Sequence, residues 1–167
     1  MAAIDLKKCL LKIKDGSSTP KSITVTVGEG NLTYSISRTI EYILDRGNLD
    51  LVREGDQVPC SVNFDLVYEF YTSDSAASEP VTPAEAIQGV GSAVTAGWTT
   101  TGADACEPYA VDIVVEYNIT CGTTKDETLT FSEFRYEKLD FDIKAGTISA
   151  SGSCNEIRPT STRVNIT

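Results

Sequence analysis

Residues 52–72 read VREGDQVPCSVNFDLVYEFYT. After a charged opening the segment alternates strictly: Val62, Phe64, Leu66, Tyr68 and Phe70 fall on one side, and Ser61, Asn63, Asp65 and Glu69 on the other. A period of two is the signature of a strand with one buried and one wetted face. The same period recurs along the chain. Cys9, Leu11 and Ile13 alternate with Leu10, Lys12 and Lys14, and Ile23, Val25 and Val27 with Ser22, Thr24 and Thr26. Val111, Ile113, Val115, Tyr117 and Ile119 oppose Asp112, Val114, Glu116, Asn118 and Thr120. Residues 146–154 set Thr147, Ser149, Ser151 and Ser153 on one side, and residues 160–166 read as a last strand. The pattern predicts a mainly β protein.

Leu32, Tyr34, Ile36, Ile40, Tyr42 and Leu44 continue one face after a GEGN turn at 28–31, which predicts one long strand broken on that face by Arg38 alone. Residues 128–137 also read as a strand. Within them Leu129 and Phe131 are out of phase with Phe134 and Tyr136, so a bulge is expected near Ser132.

Two segments depart from alternation. Residues 45–57, DRGNLDLVREGDQ, are dense in both charge signs and are expected to form a charged inter-strand loop, longer than a hairpin turn. Residues 73–108 are rich in Ala, Ser, Thr and Gly. Inside them TPAE at 82–85 is a capping box with Pro83 at the first helical position, so one short helix begins there. Trp98 is expected to be a packing anchor.

The 167 residues suit a single domain spanning 1–167, which at this size buries roughly 70% of the surface its unfolded chain exposes. A formal net charge of −10 argues against gripping a nucleic-acid backbone, which requires clustered Lys and Arg. Histidine is absent from the sequence, which removes Ser-His-Asp and Cys-His nucleophiles, His-ligated zinc and His general bases. The five cysteines, Cys9, Cys60, Cys106, Cys121 and Cys154, contain no CxxC pair and cannot all be bridged within one chain. They are read as buried small apolar thiols, with Cys121 and Cys154 as the pair to test. The opening MAAIDLKKCLLKIKD has scattered charges and no apolar core, and no stretch reaches the ~20 apolar residues of a membrane span. The chain is therefore expected to be made in the cytoplasm without a membrane partner, and the N-x-T triplets at Asn31, Asn118 and Asn165 are read as chance matches.

The chemical motifs fail on spacing. Gly28-x-Gly30 lacks a third glycine in register and opens no helix, so it is not a dinucleotide cradle. Read as a calcium loop from Asp45, the ligand positions fall on Gly47 and Leu49 and the central glycine is Asp50; a weak cation site through Asp50, Glu54 and Asp56 is the remainder of that idea. Acids four apart on one strand, such as Asp65 and Glu69 or Asp112 and Glu116, stand ~13 Å apart, beyond the ~5–9.5 Å of a glycosidase pair. No catalytic residue, cofactor or metal is expected. The polar faces remain open to two readings, a hydrated outer surface or a wall that must repel an anion. A regular sheet also leaves edges that pair with another chain unless blocked, and closure into a multi-subunit barrel would remove them and create an inner polar face.

Three stretches, EYILDRGNLDLVREGDQVPCSVNFDLVYEFYT at 41–72, CEPYAVDIVVEY at 106–117 and FRYEKLDFDIKAGTISASGSCN at 134–155, resemble the bacteriophage tail tube (major tail) protein family. The resemblance covers most of the chain and is weakest around 73–101. It implies a β-sandwich or split barrel with one short flanking α-helix, whose inner strands join into a multi-subunit β-barrel in a hexameric ring. Stacked rings would form a tube in the virion through which DNA passes without specific binding, and the partners would be other tail proteins: tape measure, terminator and, in a contractile tail, sheath. Under this resemblance Ser61, Asn63, Asp65, Glu69, Asp112 and Glu116 are the candidate lumen-facing residues. Asp45, Arg46, Asp50, Arg53, Glu54 and Asp56 are the candidate contacts to the adjacent ring, along with the two chain ends. The readings kept beside it are a decoration or adhesin-like β-sandwich binding module centred on Trp98 or Tyr109, and an acid-based hydrolase.

Overall fold

The computed structural model describes residues 9–25, 32–69, 80–117 and 127–163. The chain forms β1 (Cys9–Lys14), β2 (Ser22–Val25), β3 (Thr33–Ser35), β4 (Arg38–Asp45), β5 (Asn48–Gln57), β6 (Ser61–Val67), α1 (Pro83–Gln88), α2 (Ser92–Thr95), β7 (Val111–Tyr117), β8 (Glu127–Asp142), β9 (Thr147–Ser153) and β10 (Thr160–Arg163). All pairings are antiparallel. The mainly β, sandwich-like fold follows the alternation in the sequence.

The architecture turns on β8, a 16-residue strand that serves two sheets. Its first half lies between β7 and β10, in the order β2-β1-β7-β8-β10. Its second half pairs with β9, continuing through β6 to β3. The switch occurs where Asp112 of β7 faces two residues, Ser132 and Glu133, because Val111 pairs with Phe134 and Ile113 with Phe131. This is the bulge that the phase slip predicts. Glu133 sits at φ 52, and the two amides that the bulge removes from the ladder are taken up by carboxylates: Glu133 N donates to Asp112 Oδ1 at 3.0 Å and Ser132 N to Glu156 Oε1 at 2.8 Å.

The inner faces meet in one core of Leu11, Ile13, Ile23, Val62, Phe64, Ile113, Phe131 and Phe134 among others. Burial of each such side chain stabilises the fold by about 1.5–3 kcal/mol. Phe64 tilts against Phe134 with ring centroids 5.5 Å apart, and Phe131 of the first sheet meets Tyr34 of the second edge-on at 5.2 Å. The helix forms as its capping box predicts, with Thr82 Oγ1 accepting from Glu85 N and Gly89 ending it in the left-handed conformation. A second short helix, α2, follows, held to α1 through Glu85, whose carboxylate accepts from the Ser92 amide and hydroxyl. Those Ser92 hydrogen bonds hold the Glu85 carboxyl below its ordinary range. Trp98 is buried in the core, and buried Asp15 fastens the segment beside it by accepting from Thr99 N at 3.2 Å and from Lys21 N at 2.6 Å.

Two expectations are corrected. The long strand from Leu32 to Leu44 divides at residues 36–37: β3 stays with the sandwich while β4 leaves it. Residues 45–57 are not a loop. Ten of them, Asn48–Gln57, are β5, and the connection to β4 is Arg46–Gly47 alone, both at positive φ (50 and 85) as a two-residue primed hairpin turn requires. Cys60 and Cys154 are buried free thiols on adjoining backbone, the Cys154 amide donating to the Cys60 carbonyl at 2.9 Å, while Cys121, the partner to test for Cys154, lies outside the described residues.

Two outcomes follow from this packing. Gly152 passes so close to β8 that a Cβ there would stand 2.1 Å from the Arg135 carbonyl oxygen. Gly152→Ala is expected to cost about 3 kcal/mol or more in urea unfolding, whereas Gly47→Ala meets no neighbouring atom and should cost only the left-handed backbone strain of φ 85, about 1–2 kcal/mol. Burial pushes the Cys154 thiol up to about 12 and raises that of Cys60, while Cys106 is exposed. Because the thiolate is the reactive form, iodoacetamide at pH 8 should label Cys106 in the native protein and reach Cys60 and Cys154 only in denaturant. Peptide mass mapping checks this, and native labelling of Cys154 would contradict the buried pair.

Candidate assembly surfaces

The outward face of the second sheet can be read row by row from its register. Ser35, Ser61, Ser153 and Arg135 form one row; Thr33, Asn63, Ser151 and Lys138 the next; then Asp65, Ser149 and Asp140; then Val67, Thr147 and Asp142. The bulge residue Glu137 joins this face, since its carboxylate accepts from Ser153 Oγ at 2.9 Å. Neighbouring hydroxyls and acids are tied together: Ser149 Oγ donates to Asp65 Oδ1 at 2.6 Å, Ser35 and Ser61 share a proton-bridged contact of 2.5 Å, and Lys138 Nζ lies 3.4 Å from Asp140. The sheet therefore presents a hydrated face of hydroxyls with Asp65, Glu137, Asp140 and Asp142 set against Lys138 and Arg135, and the largest apolar side chain in these rows is Val67.

Of the predicted wall residues, Ser61, Asn63 and Asp65 share this face, and Glu69 is exposed just past the end of β6. Asp112 and Glu116 do not join them. Both belong to β7 in the other sheet, where Asp112 closes the bulge and Glu116, 8% exposed, lies 3.5 Å from Lys12 Nζ. Alternation placed Asp65 on a wetted face but not Glu116, which is buried beside Val114 because β7 is covered on both sides, and it carries no information on which sheet a strand enters. Glu137, Lys138, Asp140 and Asp142 are additions to this face, because β8 runs five residues past the strand expected at 128–137; the alternation of Lys138, Asp140 and Asp142 with Leu139 and Phe141 is the sequence signal for that extension.

The second surface is the β4–β5 hairpin, a separate two-stranded sheet in which every β4 residue is exposed and all of β5 but Gly55. Asp45, Arg46, Asp50, Arg53, Glu54 and Asp56 are all displayed on it. Asp50, Glu54 and Asp56 are strung along one extended strand, the first two ~13 Å apart, and so do not converge on a cation. One side of the ribbon carries the ion pair of Arg53 Nε with Glu41 Oε2 at 2.5 Å beside Ile43 and Leu51. The other side is an apolar stripe of Ile40, Tyr42, Val52, Leu44 and Leu49, with Tyr42 60% and Leu49 73% exposed. The charges dominated the reading of this segment and concealed the stripe.

A third exposed group lies at the far end of the second sheet, where Tyr68 N donates to the Gly146 carbonyl at 2.8 Å. Tyr68 meets Phe141 edge-on with centroids 6.3 Å apart, and Ile143 in the β8–β9 turn is 95% exposed. Tyr68, Phe141, Asp142, Ile143, Gly146 and Thr147 line an open hollow of ≈ 290 Å³.

No protein-family model matches the chain, and no curated protein matches it significantly. Among solved structures, a chain of the PVC sheath-tube complex of an extracellular contractile injection system in its extended state is similar, at 11% identity and TM-score 0.49 over 97% of this chain and 93% of that one. A chain of the anti-feeding prophage (AFP) baseplate is similar at 11% identity and TM-score 0.48, over 99% of each chain.

Proposed function

We propose that this chain is a structural, non-enzymatic virion protein, the repeating subunit of a phage tail tube. Six copies close into a ring in which the β3–β6–β9–β8 sheets join into an inner barrel, and rings stack into a conduit for the genome. The observation that carries this reading is the hydroxyl-lined face bearing Asp65 and Asp140 across Ser149. Repeated around a channel, these carboxylates repel phosphate, while Ser, Thr and Asn keep the wall wet and deny passing DNA an apolar foothold. Release, not recognition, is the task of such a wall, and no bond is made or broken.

The open edges suit closure by neighbours. β3 covers only the Ser61–Asn63 part of β6, so β6 past Asn63 has a free flank among the described residues. Such a flank recruits another strand. The exposed hairpin is the contact to the adjacent ring: each of its five stripe residues gains about 1 kcal/mol when covered, given its partial exposure in the subunit. Its exposed ion pairs fix register more than they add affinity. The chain ends, which the sequence reading also assigned to ring contacts, lie outside the described residues. Tape measure, terminator and sheath are the partner classes this role requires.

Purified protein should form rings and tubes with a central channel in negative stain; a persistent monomer at high concentration would favour the binding-module reading instead. Tubes of Asp65→Lys/Asp140→Lys should still assemble, because both side chains are on the free face, but should retain double-stranded DNA at low salt. That retention should fall by about 10³-fold or more between 50 and 200 mM salt as counterions compete. Assembled variant tubes that ignore DNA at 50 mM salt would show that this face does not line the channel.

A further inference from the structure

We infer that the Tyr68–Phe141–Ile143 patch is the seat on which the apolar stripe of the hairpin from the next copy along the tube docks; this rests on the tube reading above. A two-stranded ribbon is at best marginally stable alone in water, so an arm with Ile40, Tyr42, Leu44, Leu49 and Val52 uncovered requires a cover. The patch is the complementary feature: an apolar hollow with Tyr68 and Phe141 half-exposed and Ile143 standing free beside it.

Their placement decides how they can meet. The hairpin is rooted beside Ser35 and Ser61, at the start of β6, while the patch closes the Val67–Thr147 end of the same sheet. Six residue steps of β6, ~20 Å, separate the two ends, and the arm itself reaches ~25 Å from its root. If the sheet walls a channel, arm and seat lie at opposite rims. Copies related by a shift along the tube then bring the arm of one onto the seat of the next. Such a contact is heterologous and leaves one arm and one seat open at the ends, so it propagates, whereas a two-fold pairing of arm with arm would leave Tyr68, Phe141 and Ile143 uncovered. Each end carries charges of both signs, Asp45 with Arg46 at the tip of the arm and Asp142 with Lys144 at the turn that borders the hollow, so the two ends can be set in opposite-sign pairs.

The test mixes two full-length variants altered only at exposed side chains: an arm variant, Tyr42→Glu/Leu49→Glu, and a seat variant, Phe141→Glu/Ile143→Glu. Each alone should form single rings and no tubes. Mixed at equal amounts, rings of the seat variant still offer arms and rings of the arm variant still offer seats, so double rings should appear in negative stain and sedimentation, and growth should stop there. A seat variant that stacks into tubes like the unaltered protein, or a mixture holding only single rings, overturns the assignment. Unaltered protein that forms neither rings nor tubes instead sinks the tube reading on which it rests.

Discussion

Everything in this fold depends on keeping one strand continuous through two sheets. β8 extends for ~50 Å, and at its middle the chain must change partners from β7 to β9 without leaving buried amides unpaired. The bulge at Ser132–Glu133 provides the bend, and the Asp112 and Glu156 carboxylates accept the two amides that the ladder loses. Such charge-assisted bonds are roughly twice as strong as neutral ones. Beyond the bulge Arg135 extends this anchorage, donating to the Pro108 carbonyl and pairing with Glu107 at 2.7 Å. Because the joint is fixed, the polar face of the second sheet, the root of the hairpin and the Tyr68–Phe141 end hold fixed positions along one set of strands.

The division of labour among acids follows from that joint. Asp112 and Glu116 fit the same local pattern as Asp65, yet they serve packing: one satisfies the bulge and the other is buried near Lys12. Asp65 and Asp140 have no such duty and stay on a wet face between hydroxyls. A carboxylate free of structural obligations, repeated in register with hydroxyl neighbours, contributes charge and hydration to a surface.

Most strands were legible because one face of each is buried, and burial enforces alternation. The bulge was legible through the phase slip between Phe131 and Phe134, and the helix through Thr82, Pro83 and Glu85. The hairpin was not, for two physical reasons. Neither of its faces is buried within the subunit, so burial imposes no alternation on its side chains, and its turn is Arg46–Gly47 rather than the Asn-Gly or Asp-Gly that marks a primed turn. Sheet membership was likewise beyond a local reading, since the pairing of β6 with β9 joins residues 80 or more positions apart.

A three-dimensional reconstruction of the assembled particle by electron cryomicroscopy tests the central claim most directly. The account predicts six-fold rings whose channel is lined by the rows of Asn63 with Ser151 and of Asp65 with Ser149 and Asp140. A particle in which those rows face outward, or in which the second sheet is not the channel wall, would contradict it.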